Sequence, residues 1–208
     1  MTRETLIRAG AAGMIVAGAA LGYSYVSHPH HMTPETIASP GWIAIHALFA
    51  LSLVLGLLGT TALYAATALR SGALGLAGYV TLFVGMMMIF GLDYYEVLIA
   101  PYLALHYPAV ISDHGAGDAM GAVAVAFPLA GLLAVLGYAA LGAAWLRAGI
   151  MPRVPAVALI VAALAFGAGL SPLGGLVAAR ITAAAFGLAL IAIGAAAWRA
   201  AATRRAEA

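Results

Sequence analysis

The chain has no cysteine among its 208 residues. Disulfides, thiolate metal sites, iron–sulfur clusters and cysteine nucleophiles are therefore excluded, and any metal has to be held by histidine, methionine or carboxylate. Charge is scarce too: Asp, Glu, Lys and Arg together make up 8% of the sequence, against roughly 25% in soluble domains. Lysine is missing altogether, so every positive charge is an arginine and no intramembrane lysine can carry a retinal Schiff base. The GxSxG elbow, the HExxH zinc helix, the Walker loop and the dinucleotide fingerprint are all absent. Gly115-Ala116-Gly117 lacks the strand and helix that a phosphate loop needs, so no nucleotide cofactor is implied. With a net charge of +2 and no basic stripe carrying interleaved aromatics, nucleic acid is excluded as a partner.

What fills the chain instead is apolar: 65% of the residues are hydrophobic and the mean hydropathy is +1.06. Apolar runs lie at about 9–26, 41–68, 73–100, 119–146, 154–171 and 176–198, each near or above the ~20 residues that span hydrocarbon. The expected fold is all-α, a polytopic bundle of six transmembrane helices forming a single membrane domain over 1–208. Six spans place both termini on one side. Arg3, Arg8, Arg70, Arg147, Arg153, Arg199, Arg204 and Arg205 fall on that same side, and the positive-inside rule makes it cytoplasmic. Arg3 and Arg8, the apolar run and Ala17-Gly18-Ala19 together look like a signal peptide, but the segment is read here as a retained helix. Arginine without lysine, with abundant Ala and Gly, suggests a GC-rich bacterial genome and a multi-pass place in the plasma (inner) membrane.

Small residues predict close helix packing, notably Gly18 and Gly22 in GxxxG spacing and Gly72, Gly75 and Gly78 at three-residue intervals. Leu69-Arg70-Ser71-Gly72 and Leu146-Arg147-Ala148-Gly149 echo one another, as the cytoplasmic turns of a duplicated hairpin would. Tyr94, Tyr95, Tyr102 and Tyr107 read as an outer interfacial belt, and Trp145 and Trp198 as inner anchors.

An ionisable side chain at a helix centre costs roughly 2.5–3.5 kcal/mol and tends to be kept for a reason. Four reach membrane depth: His46, Asp93, Glu96 and Arg180. At ~1.5 Å per residue, His46 and Arg180 lie roughly 8 Å inside the outer face, Asp93 near the outer hydrocarbon boundary and Glu96 one turn further out. Asp93 and Glu96 share a helix face, with Met86 two turns below. In a purely structural reading Arg180 neutralises Asp93 or Glu96, and His46 bonds a neighbouring carbonyl. In a functional reading the four form a site, with Trp42 and Met86 beside it. The outer loops carry a second signal: His28, His30, His31 and Met32 in the first, and His106, Asp113, His114 and Asp118 in the next. Imidazole, carboxylate and thioether can bind a transition metal such as copper, zinc or nickel, which makes His28, His30, His31, His106 and His114 candidate ligands.

Pro40-Gly41-Trp42-Ile43-Ala44-Ile45-His46, and Glu96 followed by Ala100-Pro101, resemble a group of uncharacterised bacterial six-helix integral membrane proteins. That resemblance implies the architecture and singles out His46 and Glu96. In size and helix count the chain is also similar to the membrane subunits of energy-coupling vitamin transporters, which implies partner subunits docking on small residues such as Ala12, Ala17 and Ala20. The leading expectation is an outer-leaflet site that binds, and in an enzymatic version acts on, a small lipophilic ligand such as a lipid or isoprenoid. Asp93 or Glu96 would be the general acid, His46 the base, and Arg180 the holder of an anionic group. The alternatives are a transporter, or transporter subunit, for a metal ion or vitamin, and a haem-binding electron-transfer protein. The expected surroundings are the lipid bilayer, the ligand or metal ion, and an oligomer or partner subunits.

Overall fold

In the computed structural model, which describes residues 2–111, 121, 123–171 and 174–206, every regular element is helical. Among these residues α1 covers Arg3–Ser27, α2 Pro34–Ile37, α3 Pro40–His106, α4 Pro108–Ile111, α5 Val123–Arg147, α6 Arg153–Gly169 and α7 Gly175–Ala206. α1, α3, α5 and α7 contain stretches long and apolar enough to cross a membrane, while α6, with 17 residues, is shorter. Ala119, Met120 and Ala122, at the start of the expected fourth span, lie outside the described residues.

Straightened out, the 67 residues of α3 would reach about 100 Å, more than three times the ~30 Å hydrocarbon core. They do not run straight. At Gly72 the backbone takes φ 60° and ψ −163°, a conformation that suits a residue without Cβ. The limbs on either side, 40–71 and 73–106, then lie antiparallel. Nearest the turn, the Tyr64 and Tyr79 rings stack with centroids 4.4 Å apart and the Thr61 and Tyr79 hydroxyls are 3.0 Å apart. At the far end the Trp42 indole N–H donates to the Glu96 carbonyl at 3.1 Å. The second and third apolar runs of the sequence are these two limbs.

Gly149 repeats the device, also at φ 60°. Its N–H reaches the Leu146 carbonyl at 3.2 Å, and the Ile150 N–H reaches Trp145 at 2.9 Å, the paired bonds of a Schellman stop. The echoed Leu-Arg-x-Gly tetrapeptides are thus two helix stops with glycine at the same position.

The six long helical limbs form a ring in chain order, closed by α7 against α1. Close approaches mark the seams. A Cβ on Gly59 would lie 2.7 Å from the Gly10 carbonyl (first limb of α3 on α1), one on Gly78 2.7 Å from the Leu141 nitrogen (second limb on α5), and one on Gly194 2.6 Å from the Ala11 carbonyl (α7 on α1). Gly167 meets Val135 across the α5–α6 seam, and Gly169 meets Ala178 across α6–α7. Both glycines of the GxxxG pair face Gly187 of α7, where a Cβ would lie 2.4 Å from the Gly18 carbonyl and 3.3 Å from the Gly22 nitrogen. Ala17 and Ala20 are buried in these seams, leaving only Ala12 of the expected docking residues partly exposed.

Arginines gather at one end of the ring. Arg3 donates to the Ala66 carbonyl at 2.7 Å, Arg70 to that of Ala148 at 3.0 Å, and the Arg8 guanidinium covers the Trp198 ring at 4.4 Å. Trp145 is a correction: it is fully buried and its indole N–H donates to Thr67 at 3.2 Å, tying α5 to α3 instead of anchoring at an interface. The opposite end is closed by a small separate core of Ile37, Trp42, Ala100, Ala104 and Ile111, drawn from α2, both limbs of α3 and α4.

Candidate functional site

Ser39 fixes the start of the first α3 limb: its hydroxyl accepts the Trp42 N–H at 3.2 Å and Pro40 follows as the first helical residue, a strong N-terminal signal. From that start Trp42, His46 and Phe49 share one inward face. His46 is 9% exposed and Asp93, from the opposite limb, 4%. The two meet: His46 Nδ1 lies 2.7 Å from Asp93 Oδ1.

This bond assigns the imidazole. Nδ1–H donates to the carboxylate, so Nε2 carries a lone pair in the neutral ring and a proton in the cation. Nε2 is buried and has no hydrogen-bond partner among the described residues. An unsatisfied buried polar atom costs about 1–3 kcal/mol and calls for an explanation.

Two further rings enclose His46. Trp42 lies 4.5 Å from it between centroids and His28 5.4 Å, with His28 and Trp42 5.3 Å apart. His28 caps α1 and its Nδ1 is 3.0 Å from the Pro29 carbonyl. Burial pushes its pKa below the usual histidine range; the Pro29 carbonyl and Glu96 oppose that, while His46 and Arg180 reinforce it.

Arg180 departs from expectation. Its guanidinium donates to His30 Nε2 at 2.8 Å and to the His28 carbonyl, clamping the first loop to α7. α7 neighbours α1 in the ring, so the loop that leaves α1 meets this guanidinium, and among the described residues His46 and Asp93 form an ion pair at this end. Because arginine only donates, His30 Nε2 is the acceptor in this contact. Glu96 is half-buried one turn beyond Asp93, and its carbonyl holds Trp42.

One turn to the other side of His46 an axial cavity of about 50 Å³ opens, lined from all six limbs by residues that include Tyr25, Phe49, Met86, Tyr138, Phe166 and Phe186. Met86 is buried there, with the Tyr138 hydroxyl 3.5 Å from its sulfur, while neighbouring Met87 faces outward. The cavity aromatics escaped the sequence reading, although Trp42, His46 and Phe49 in helical register, and Tyr25 three before His28, would have pointed to them.

Among the described residues, the loop histidines do not share a centre. His28 turns inward, His30 meets Arg180, His31 is exposed and His106 packs on Tyr102 at 4.5 Å. Among the described residues no three His, Asp or Glu side chains are grouped to hold a metal ion. Asp113, His114 and Asp118 lie outside the described residues. No protein-family model, curated protein or solved structure matches the chain.

Proposed function

We propose that this is a six-span protein of a bacterial inner membrane, with termini and arginine end cytoplasmic, that binds a small lipophilic ligand at the His46–Asp93 pair. The six spans count the two limbs of α3 separately and take α6 as a short span, ~26 Å at 1.5 Å per residue. The observation that carries the ligand reading is the buried Nε2 of His46, oriented by Asp93 and unpartnered, between an aromatic-rich outer core and an apolar cavity. The neutral imidazole accepts a hydrogen bond from a ligand hydroxyl; the cation donates to a phosphate or carboxylate oxygen. Apolar walls beneath it suit a hydrocarbon tail such as that of a lipid or isoprenoid. At about 50 Å³ the cavity holds only the first atoms of such a tail, so deeper entry requires Phe49 and Met86 to move. The same geometry serves acid–base chemistry: His46 takes the hydroxyl proton, Asp93 stabilises the resulting imidazolium, and Glu96 is the complementary acid.

Solvent extraction of the purified protein followed by mass spectrometry tests this reading. The wild type should retain a defined elongated apolar molecule, and His46→Gln and Asp93→Asn should each lower its occupancy by about tenfold, the scale of one hydrogen bond to a charged group. Equal retention by all three proteins would overturn the reading.

A further inference from the structure

A hollow lies at the other end of the bundle, on its outer surface. We infer that the hollow between α1 and α7 beside Trp198 binds an anionic phospholipid, with the phosphate on Arg8 and Arg199 and an acyl chain along Ala12, Val16 and Ala195. Its volume is about 390 Å³, and Ala12, Ile15, Val16, Ala195, Trp198 and Arg199 line it. The hollow follows from local packing: α1 and α7 approach closely at Ala11–Gly194, and beside that seam the methyls of Ala12 and Ala195 are too short to fill the space.

Charge complementarity identifies the occupant. Arg3 and Arg70 bond to helix-end carbonyls, whereas the guanidinium groups of Arg8 and Arg199 make no hydrogen bond or ion pair among the described residues. Arg8 is held against the Trp198 face at 4.4 Å, and Arg199 borders the hollow. Two cations with no ion pair among the described residues, at one end of an apolar hollow, match a molecule with an anionic head and a hydrocarbon chain. A guanidinium suits phosphate through its forked donors. This inference requires only that the chain lies in a bilayer; the ligand reading at His46 can fail without affecting it.

Native mass spectrometry of the full chain in detergent, titrated with phosphatidylglycerol or phosphatidylcholine, reads the preference directly. At about fivefold per arginine near a lipid surface, the wild type should favour phosphatidylglycerol by about 25-fold. Arg8→Ala with Arg199→Ala should bring the preference close to unity, and the corresponding double lysine variant should keep part of it. Ala195→Phe, which fills the hollow and leaves both arginines, should weaken retention of both lipids while the melting temperature stays that of the wild type. Equal retention of the two lipids by the wild type, or an undiminished preference in the double alanine variant, would overturn the inference. So would a dimer cross-linked through Val16→Cys that persists when phosphatidylglycerol is supplied, since a second copy would then own the surface.

Discussion

Arginine is handled in a similar way at both ends of the bundle, but the other ionisable groups are not. Arg3 and Arg70 at one end, and Arg180 at the other, each donate to carbonyls at or near a helix C-terminus, where partial negative charge collects and a cation is favoured. Those contacts lie at exposed or part-buried positions and put little at stake. At the histidine end, by contrast, His46 and Asp93 are nearly out of reach of solvent and answer chiefly to each other. Burial of such a pair is expensive, and its loss leaves an uncompensated group. Under the proposed function, charge at one end orients the protein and charge at the other builds a cavity mouth.

The comparison breaks outright if the two ends do not face opposite sides of a membrane. The chain lacks native cysteine, so a single cysteine placed at His30 should react fully with an impermeant thiol reagent in intact cells, and one placed at Arg147 should not react. The reverse pattern would put the histidine end in the cytoplasm.

A graded test removes charge at each end. His46→Ala strands the Asp93 carboxylate and should cost about 3–5 kcal/mol in detergent unfolding, whereas His46→Leu with Asp93→Leu should recover much of that loss. Arg70→Ala, which gives up exposed bonds to carbonyls, should cost about 0.5–1.5 kcal/mol. Equal losses at the two ends would erase the distinction. From the sequence alone His46 looks removable at little cost, because no salt bridge need involve it; the 2.7 Å contact with Asp93 reverses that expectation.

That reversal shows where a linear reading stops. Hydropathy located the apolar runs now seen as the two limbs of α3, because span length is a local property of the chain. The reversal near Arg70 was visible for the same reason: a glycine beside an arginine, between two apolar runs, is a local stop signal. Which polar groups meet depends on the order of helices around the ring, and spacing does not encode it. Hence His46, Asp93, Glu96 and Arg180 could be named as a set, while the pairing within it went to Arg180 instead of His46. Trp145 failed for a related reason. Its position near a span end resembles an interfacial anchor, and only the Thr67 hydroxyl across the seam draws it into the core. His28 was read with the loop, because nothing in its neighbours shows that the loop folds back over Trp42.

His28 supplies the finest test, since it stands at the border between the solvated loop and the buried pair. Its ring packs edge-on against both Trp42 and His46, and burial holds its pKa below the ordinary value, which is near 6.5 in an unfolded chain. The folded state thus favours the neutral imidazole. Its contribution to stability is complete above about pH 6.5 and is lost as the pH falls through the lower folded value, because the unfolded chain takes up the proton first. His28→Phe keeps the backbone carbonyl that Arg180 uses and removes the titration. Melting curves in detergent between pH 8 and pH 5 should therefore show a steeper acid loss in the wild type than in His28→Phe, by a fraction of the His46→Ala effect. Parallel curves would mean that the ring is solvated despite its contacts, and the histidine end would then be buried only as deep as His46.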